Sequence, residues 1–224
     1  MLAKLAGVWK FLAFMIASFF GVGYMPVASG TFGSAISFVL IVPMVALYGL
    51  AGLLWLVVVS FVLGTLATRK VLQYTEHDPS FVVIDEVCGQ AITCIPMVWL
   101  AQDMGRPDFN MLCIFYFVSF VLFRLFDITK PLFIGLVDRR MTNAFGVMLD
   151  DVLAGVCGAI VWGLLFVAFI YCMFASASGA IVWLTLFISF IFLMFVGVRY
   201  SIVWKVLFIA FICLAGWLLI GFLG

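Results

Sequence analysis

Charged residues are scarce in this chain, and their scarcity excludes a water-soluble protein. Only 9% of the 224 residues are charged and 68% are hydrophobic, whereas about a quarter of the residues in a soluble domain are charged. No charge occurs from Phe11 to Thr68 or from Val152 to Val198. So few charges cannot cover a surface that faces water, and the composition therefore predicts an integral membrane protein.

Motifs that bind metals through cysteine or histidine are also missing. The six cysteines form no C-x-x-C pair and lie in apolar segments, which favours small buried side chains over disulfides or a zinc site. The single histidine, His77, lies in a polar stretch and is interpreted as a solvated loop residue. The eleven basic residues form no patch of the kind that nucleic acid requires. We therefore expect no nucleic-acid partner and no soluble cofactor.

The long apolar segments predict an all-α, polytopic integral membrane helical bundle of about seven spans. A first helix at about 5–20 carries Lys4 and Lys10 and is interpreted as interfacial or re-entrant. Residues 1–175 are expected to form the core, and residues 176–224 to add two C-terminal transmembrane helices. The spans are placed at about 35–50, 51–68, 87–101, 109–127, 150–173, 179–198 and 202–223, with a tight turn at 49–52.

The basic residues are distributed unevenly between the two ends of these spans. With the first helix at the interface, the loops 21–34, 69–86 and 128–149 lie on one side of the membrane. Ten of the eleven basic residues belong to that side and only Arg106 to the other, which is a strong positive-inside signal. The same side holds the acidic residues discussed next. The asymmetry predicts that the polar groups on this side face the cytoplasm.

Six acidic residues lie at the ends of apolar helices. Carboxylates at membrane depth are costly and usually functional. One acid at a helix start is explained by the helix dipole, but two side by side suit a hard divalent cation such as Mg²⁺. The predicted metal ligands and catalytic residues are Asp85, Glu86, Asp127, Asp150 and Asp151, while Asp138 is the sixth acid.

Small residues at 154, 155, 158 and 159 form a face on the helix that follows Asp150 and Asp151. Such a face permits close helix packing. We expect this packing to bring the two carboxylates beside the other acids.

The stretch from Pro26 to Ser34 could hold an anion. Gly30 and Gly33 permit close approach of the backbone, Ser34 is a good helix N-cap, and free amides at a helix start favour a phosphate. Turns of this composition are common without any ligand. On the functional interpretation, Gly30, Gly33 and Thr31 contribute backbone and hydroxyl donors.

Basic side chains accompany the acids. Arg124, Asp127 and Lys130 follow one another at intervals of three along a helical stripe, and Pro131 ends that helix by Lys130. The same pattern would also be explained by a surface ion pair between Arg124 and Asp127, with the basic residues anchoring the helix at the inner side of the membrane. If Mg²⁺ relieves the repulsion among the carboxylates, the bases Arg124, Lys130 and Arg139 remain available for a phosphate.

These motifs resemble a known family. The strings that carry the resemblance are PVASGTFGS, VVIDEVCGQ, FRLFDITKP, DRR and GVMLDDVLAGV. In order and spacing, from about residue 20 to residue 160, they are similar to those of the phosphatidylglycerophosphatase A family. The resemblance implies a Mg²⁺-dependent membrane phosphatase that removes the terminal phosphate of phosphatidylglycerol phosphate, a membrane phospholipid. It implies nothing about the residues after 175.

The resulting hypothesis is metal-assisted hydrolysis of a lipid phosphate monoester, with either water or an aspartate as the nucleophile. An ion-coupled transporter is the first alternative, although the acids lie at span ends and no inverted repeat is apparent. A Mg²⁺-dependent lipid phosphotransferase is the second, but its aspartates would be expected in one long motif. A scaffold without catalysis has no need of so many paired acids.

Overall fold

The computed structural model describes residues 2–75, 79–103, 109–131 and 133–174. All regular structure in these ranges is helical. The elements are α1 (Leu2–Ala17), a 3₁₀ turn (Val22–Tyr24), α2 (Ser29–Ile36), α3 (Phe38–Val71), α4 (Ile84–Thr93), α5 (Ile95–Asp103), α6 (Phe109–Thr129), α7 (Ile134–Arg140) and α8 (Ala144–Phe174).

Three helical segments in these ranges are long and apolar enough to cross a membrane. They are Ser29–Val71, Leu112–Thr129 and Ala144–Val167. The pair Ile84–Thr93 and Ile95–Gln102, bent by 40° at the break between them, makes a fourth if it is counted as one span. The described residues are thus all-helical, as predicted, and their long apolar helices are typical of a membrane protein. The total of seven spans stays a prediction, because the segments expected at 179–198 and 202–223, like His77 and Arg106, lie outside the described residues.

Gly49 divides α3 into two arms. Its φ of 60° and ψ of −141° are not helical, and only glycine adopts such a backbone at low cost. A Cβ on Gly52 would lie 2.4 Å from the carbonyl oxygen of Met44, although eight residues of straight helix span about 12 Å. The chain therefore reverses at the position where the sequence predicts a tight turn. A Cβ on Gly49 would meet the Gln102 side chain at 1.9 Å, so this turn lies beside the end of α5.

Helix α1 packs against the second arm of α3 and the residues that lead into α4. Ala13 and Ala17 are fully buried in a core that also contains Val71 and Val83. The Val83 backbone N–H donates a hydrogen bond of 2.9 Å to the Ala17 carbonyl oxygen. The apolar part of α1, Gly7–Ala17, is shorter than a span. Its interfacial or re-entrant placement stays a prediction, but its packing fixes the start of α4.

Tyr116 of α6 holds the junction between α2 and α3. Its hydroxyl lies 2.5 Å from the Ser34 carbonyl oxygen and 2.9 Å from Ser37 Oγ. Both serines are fully buried, and a buried carbonyl group at a helix end requires such a partner. The contact ties α2 and the start of α3 to α6.

The chain separates into two compact units, residues 1–162 and 163–224. The first contains every residue of the predicted site. Of the second, only the end of α8 lies in the described ranges. The division between a core at 1–175 and an added pair of helices at 176–224 therefore stays a prediction.

Candidate active site

Helix α4 carries two of the predicted acids at its start. Asp85 and Glu86 lie in the first turn, where the partial positive charge of the helix N-terminus favours carboxylates. The Glu86 backbone N–H donates a hydrogen bond of 3.1 Å to Asp85 Oδ1. Asp85 is only 7% exposed, and the two carboxyl groups are in hydrogen-bonding contact. The pair opens the apolar helix as the sequence predicts.

Helix α8 begins earlier than the sequence led us to expect. The Gly146 backbone N–H donates a hydrogen bond of 2.8 Å to Asn143 Oδ1, so Asn143 caps a helix that begins at Ala144. Asp150 and Asp151 therefore lie in its second turn, and the expectation that they open the helix is wrong. An asparagine ahead of an apolar run is the sequence signal for this start. Both carboxylates are buried.

Glycines bring α4 and α8 into backbone contact. A Cβ on Gly155 would lie 2.5 Å from the Gly89 carbonyl oxygen, and one on Gly158 would lie 2.9 Å from the Thr93 side chain. The Thr93 hydroxyl is within hydrogen-bonding distance of the carbonyl oxygens of Gly89 and Gly155, at 3.0 and 3.2 Å. The predicted packing of the small-residue face is confirmed. Asp85 precedes Gly89 by one helical turn, and Asp151 precedes Gly155 by one.

Three carboxylates form the centre of the site. Asp85, Glu86 and Asp151 each place one oxygen within 4.8 Å of the others. Asp127, near the end of α6, is in hydrogen-bonding contact with Asp151 and interacts electrostatically with Glu86. Asp150 interacts electrostatically with Asp85. The fold thus brings all five predicted acids together, and we call them the acidic cluster. Three of them have the spacing of ligands to a single ion.

Arg124 lies at the edge of the acidic cluster. Its Nη1 is 2.5 Å from Asp127 Oδ2 on the same helix and 3.4 Å from Ser34 Oγ of α2. The side chain is 15% exposed, so water screens this ion pair less than it would a surface pair. The Nε atom is buried and has no hydrogen-bond partner among the residues that the structure describes. The ion pair expected from the spacing is confirmed, and one guanidinium donor stays unused beside the carboxylates.

Helix α2 packs its two glycines against α4 and α6. A Cβ on Gly30 would lie 2.2 Å from Glu86 Oε1 and 3.3 Å from Arg124 Nη1. A Cβ on Gly33 would lie 2.8 Å from the Val83 Cβ. The predicted close approach at both glycines is confirmed, and at Gly30 it is an approach to the site itself.

The start of α2 differs from the sequence interpretation. The helix begins at Ser29, after Ala28 in a left-handed conformation with φ 50° and ψ 47°, so the stretch 30–33 is helix and not a turn. Ser34 lies inside the helix, and its hydroxyl donates a hydrogen bond of 2.8 Å to the Gly30 carbonyl oxygen. The proposed N-cap role of Ser34 is therefore wrong. Thr31 lies in the first turn of α2 and is partly exposed.

Lys130 lies between two carboxylates. Its Nζ donates hydrogen bonds of 2.6 Å to Asp138 Oδ1 and 2.7 Å to Asp150 Oδ2. Partial burial opposes the charged ammonium, but the hydrogen bonds to the two carboxylates outweigh this effect and raise the pKa of Lys130. Asp138, which the sequence interpretation left without a role, is thus a partner of a predicted site residue.

Arg139 lies apart from the acidic cluster. Its side chain is exposed on α7, and its Nε donates a hydrogen bond of 2.8 Å to the Gly135 carbonyl oxygen on the same helix. Within the described ranges, no hydrogen bond or ion pair joins it to the acidic cluster. Its role as a phosphate ligand stays a prediction.

Comparisons with known proteins identify the family of this chain. The family model for phosphatidylglycerophosphatase A matches residues 15–166, a range that includes every residue of the acidic cluster. No solved structure matches the chain.

The matches to three curated relatives cover most of the length of each relative. A Bacteroides thetaiotaomicron protein, whose name proposes a phosphatidylinositol-3-phosphatase, is 36% identical over 66% of this chain and 89% of its own. A phosphatidylglycerophosphatase A of Haemophilus influenzae is 32% identical over 66% of this chain and 84% of its own. One of Escherichia coli is 29% identical over 70% and 82%. On these grounds the chain is a phosphatase and belongs to the phosphatidylglycerophosphatase A family.

Proposed function

We propose that this protein hydrolyses the terminal phosphate monoester of phosphatidylglycerol phosphate, releasing phosphatidylglycerol and inorganic phosphate, with Mg²⁺ as cofactor. The observation that carries the proposal is the convergence of Asp85, Glu86 and Asp151, from two helices, within 4.8 Å. The family membership and the names of two relatives support the lipid substrate.

The donor atoms of the acidic cluster fit a hard divalent cation. All are carboxylate oxygens, which Mg²⁺ prefers over nitrogen or sulfur. In the described part of the chain, Glu86 Oε2 is buried and has no hydrogen-bond partner. An unpartnered buried carboxylate oxygen is unfavourable unless a ligand or ion approaches it. Asp85, Glu86 and Asp151 would hold the ion, with Asp127 and Asp150 as further oxygen donors. When bound, Mg²⁺ supplies positive charge that polarises a phosphoryl oxygen and acidifies a water molecule.

Arg124 and the start of α2 provide the phosphate side of the proposed site. The guanidinium is oriented by Asp127 and Ser34 and keeps its buried Nε unpaired, so it can donate to a phosphoryl oxygen. The first turn of α2, with Gly30 and Thr31, offers backbone N–H groups that its own helix does not use. Because no side chain projects from Gly30, Glu86 and Arg124 can both lie close to this first turn. Lys130, in the segment before α7, and Arg139, on α7, would add positive charge to this side of the site.

The membrane location fits a substrate with two acyl chains. The acids lie at the ends of apolar helices, so the acyl chains stay in the bilayer while the head group meets the carboxylates. We place the site at the cytoplasmic face of the inner membrane, because ten of the eleven basic residues are expected on the side of the acidic cluster.

A phosphoinositide is a second candidate substrate, because the relative with 36% identity carries that activity in its name. The purified protein should therefore be assayed for phosphate release from phosphatidylglycerol phosphate, phosphatidylinositol 3-phosphate and water-soluble glycerol phosphate. We expect the first substrate to be hydrolysed fastest and a chelator to abolish the reaction. Faster hydrolysis of the phosphoinositide would replace the proposed substrate.

Substitutions test the assignment of the acids. Asp85→Asn and Asp151→Asn should each abolish phosphate release, whereas Arg140→Gln, an exposed change on α7, should leave it unchanged. Near-normal turnover in both aspartate variants, or full activity in the presence of the chelator, would overturn the metal site.

A further inference from the structure

Lys130 is unusually constrained for a residue that would only bind substrate. An ammonium group has three N–H donors, and two of them are engaged with Asp138 and Asp150 at 2.6 and 2.7 Å. The three side chains come from different elements: Lys130 follows α6, Asp138 lies on α7 and Asp150 on α8. We call this group the lysine clamp. It joins the ends of three helices beside the acidic cluster.

The backbone at Lys130 is strained. Its φ is 39°, in the left-handed region where a residue with a Cβ costs about 1 kcal/mol or more. Glycine is the usual residue at this position after a helix. A Cβ on Gly135 would lie 2.7 Å from the Lys130 carbonyl oxygen, so the chain packs tightly around this conformation. A lysine at a position that glycine would occupy at lower cost indicates that its side chain has a role.

The burial of the partners shows the direction in which the lysine clamp acts. The Asp150 side chain is 9% exposed, whereas those of Lys130 and Asp138 are 30% and 34% exposed. Asp150 is therefore the buried member, held from outside by two more accessible groups. It directly precedes Asp151, whose oxygen belongs to the group of three that has ion-ligand spacing.

We propose that Lys130, supported by Asp138, is a positioning residue: it fixes Asp150 on α8 and thereby directs Asp151 into the acidic cluster. The proposal rests on the proposed function, since it requires that the acidic cluster holds a divalent cation. It assigns a role to Asp138, which makes no contact with the three central carboxylates within the described ranges.

Three explanations for Lys130 predict different results for Lys130→Met and Asp138→Asn. If the lysine clamp positions α8, both variants raise the Mg²⁺ concentration needed for half-maximal activity, by about tenfold, as is usual when a residue behind a metal ligand is lost. If Lys130 acts only through its charge, the two variants shift this concentration in opposite directions, because one removes a positive and the other a negative charge. If Lys130 binds the substrate phosphate, Lys130→Met raises the KM for lipid and leaves the Mg²⁺ dependence unchanged.

The experiment titrates Mg²⁺ against the unfolding temperature of the protein without substrate, and measures phosphate release from mixed micelles of the lipid substrate while Mg²⁺ and lipid are varied independently. We expect both variants to need more Mg²⁺, the double variant to need no more than Lys130→Met alone, and Lys130→Arg to recover most of the wild-type dependence. Arg140→Gln on the same short helix is the matched control and should have no effect. Shifts in opposite directions, or a change confined to the KM for lipid, would overturn the positioning role.

Failure of the positioning role is distinguishable from failure of the proposed function. Wild-type protein that releases no phosphate, or that needs no Mg²⁺, contradicts the proposed function itself. If Lys130→Met does not yield folded protein, Asp138→Asn and Asp138→Glu decide the question, since they change only a partly exposed partner. Asp138→Glu keeps the negative charge and moves the carboxylate, so it raises the Mg²⁺ requirement under the positioning role and leaves it unchanged if only charge matters. A wild-type Mg²⁺ dependence in folded Asp138→Asn would overturn the positioning role.

Discussion

Gly89 of α4 and Gly155 of α8 lie in backbone contact: a Cβ on Gly155 would be 2.5 Å from the Gly89 carbonyl oxygen. Asp85 and Asp151 each lie one turn before this contact on their own helices. The distance between the two carboxylates is therefore set by the closest approach of two backbones, and not by flexible side chains.

Gly155→Ala should separate α4 from α8. Because the added methyl group overlaps a carbonyl oxygen, we expect a loss of stability of about 1–3 kcal/mol and a loss of activity of about 100-fold, since displacements near 1 Å can cost that much. Thermal unfolding in detergent and phosphate release measure the two effects. Gly163→Ala on the same helix, where a Cβ meets nothing within 4 Å, is the control; an equal loss in both variants would contradict this account.

Gly30→Ala should reduce activity more than it reduces stability. The new Cβ would lie 2.2 Å from Glu86 Oε1, so it displaces a proposed metal ligand. Alanine also has a higher helix propensity than glycine, which offsets part of the cost in α2. Steady-state kinetics with the lipid and a thermal melt test this expectation. Gly7→Ala, where a Cβ meets nothing within 4 Å, should retain full activity, and wild-type kinetics in Gly30→Ala would remove Gly30 from the site.

Mg²⁺ should stabilise the folded protein, apart from any effect on catalysis. A ligand that binds only the folded state adds about 2.7 kcal/mol when present at 100 times its Kd. We expect Mg²⁺ to raise the unfolding temperature of the wild type but not of Asp151→Asn. In the absence of Mg²⁺, Asp151→Asn should be at least as stable as the wild type, because the substitution removes one of several mutually repelling buried carboxylates. Stabilisation of both proteins by Mg²⁺ to the same extent would indicate that the ion binds elsewhere.

The two ends of the helices should be accessible from opposite sides of the membrane. Arg140 lies towards the end of the helices where the acidic cluster is, and Ala51 lies in the turn after Gly49. Both residues are exposed. In spheroplasts, a membrane-impermeant thiol reagent should label Ala51→Cys directly, but Arg140→Cys only after permeabilisation. The wild-type protein, with its native cysteines, is the background control. The reverse pattern would place the site on the outer face.

The sequence predicted the features that depend on local chemistry. Adjacent carboxylates at the start of α4, the reversal at Gly49 and the small-residue face near Gly155 each follow from residue type and spacing over a few positions. Charge asymmetry predicts that the acids lie on one side of the membrane, and the fold brings all five together. A hydrophobic face that contains small residues specifies how closely two helices approach, so this much of the site could be anticipated.

The features that the sequence did not reveal depend on backbone conformation or on distant partners. Ala28 adopts a left-handed conformation that its residue type does not favour, which starts α2 at Ser29 and makes Ser34 an interior residue. The pairing of Lys130 with Asp138 and Asp150 requires three elements to meet, and spacing along one helix favoured Arg124 and Asp127 as its companions. Only the cap at Asn143 could have been recognised from the sequence, and it would have corrected the start of α8.

The reversal at Gly49 has a consequence for biogenesis. It lies within a long stretch of chain without charge, from Phe11 to Thr68, so both arms of the helical hairpin are equally compatible with hydrocarbon. Since chains fold from the N-terminus during synthesis, the hairpin can insert as a unit before Asp85 leaves the ribosome. With the acidic cluster on the predicted cytoplasmic side, its five carboxylates then join a scaffold that is already in the bilayer, and none of them has to cross it.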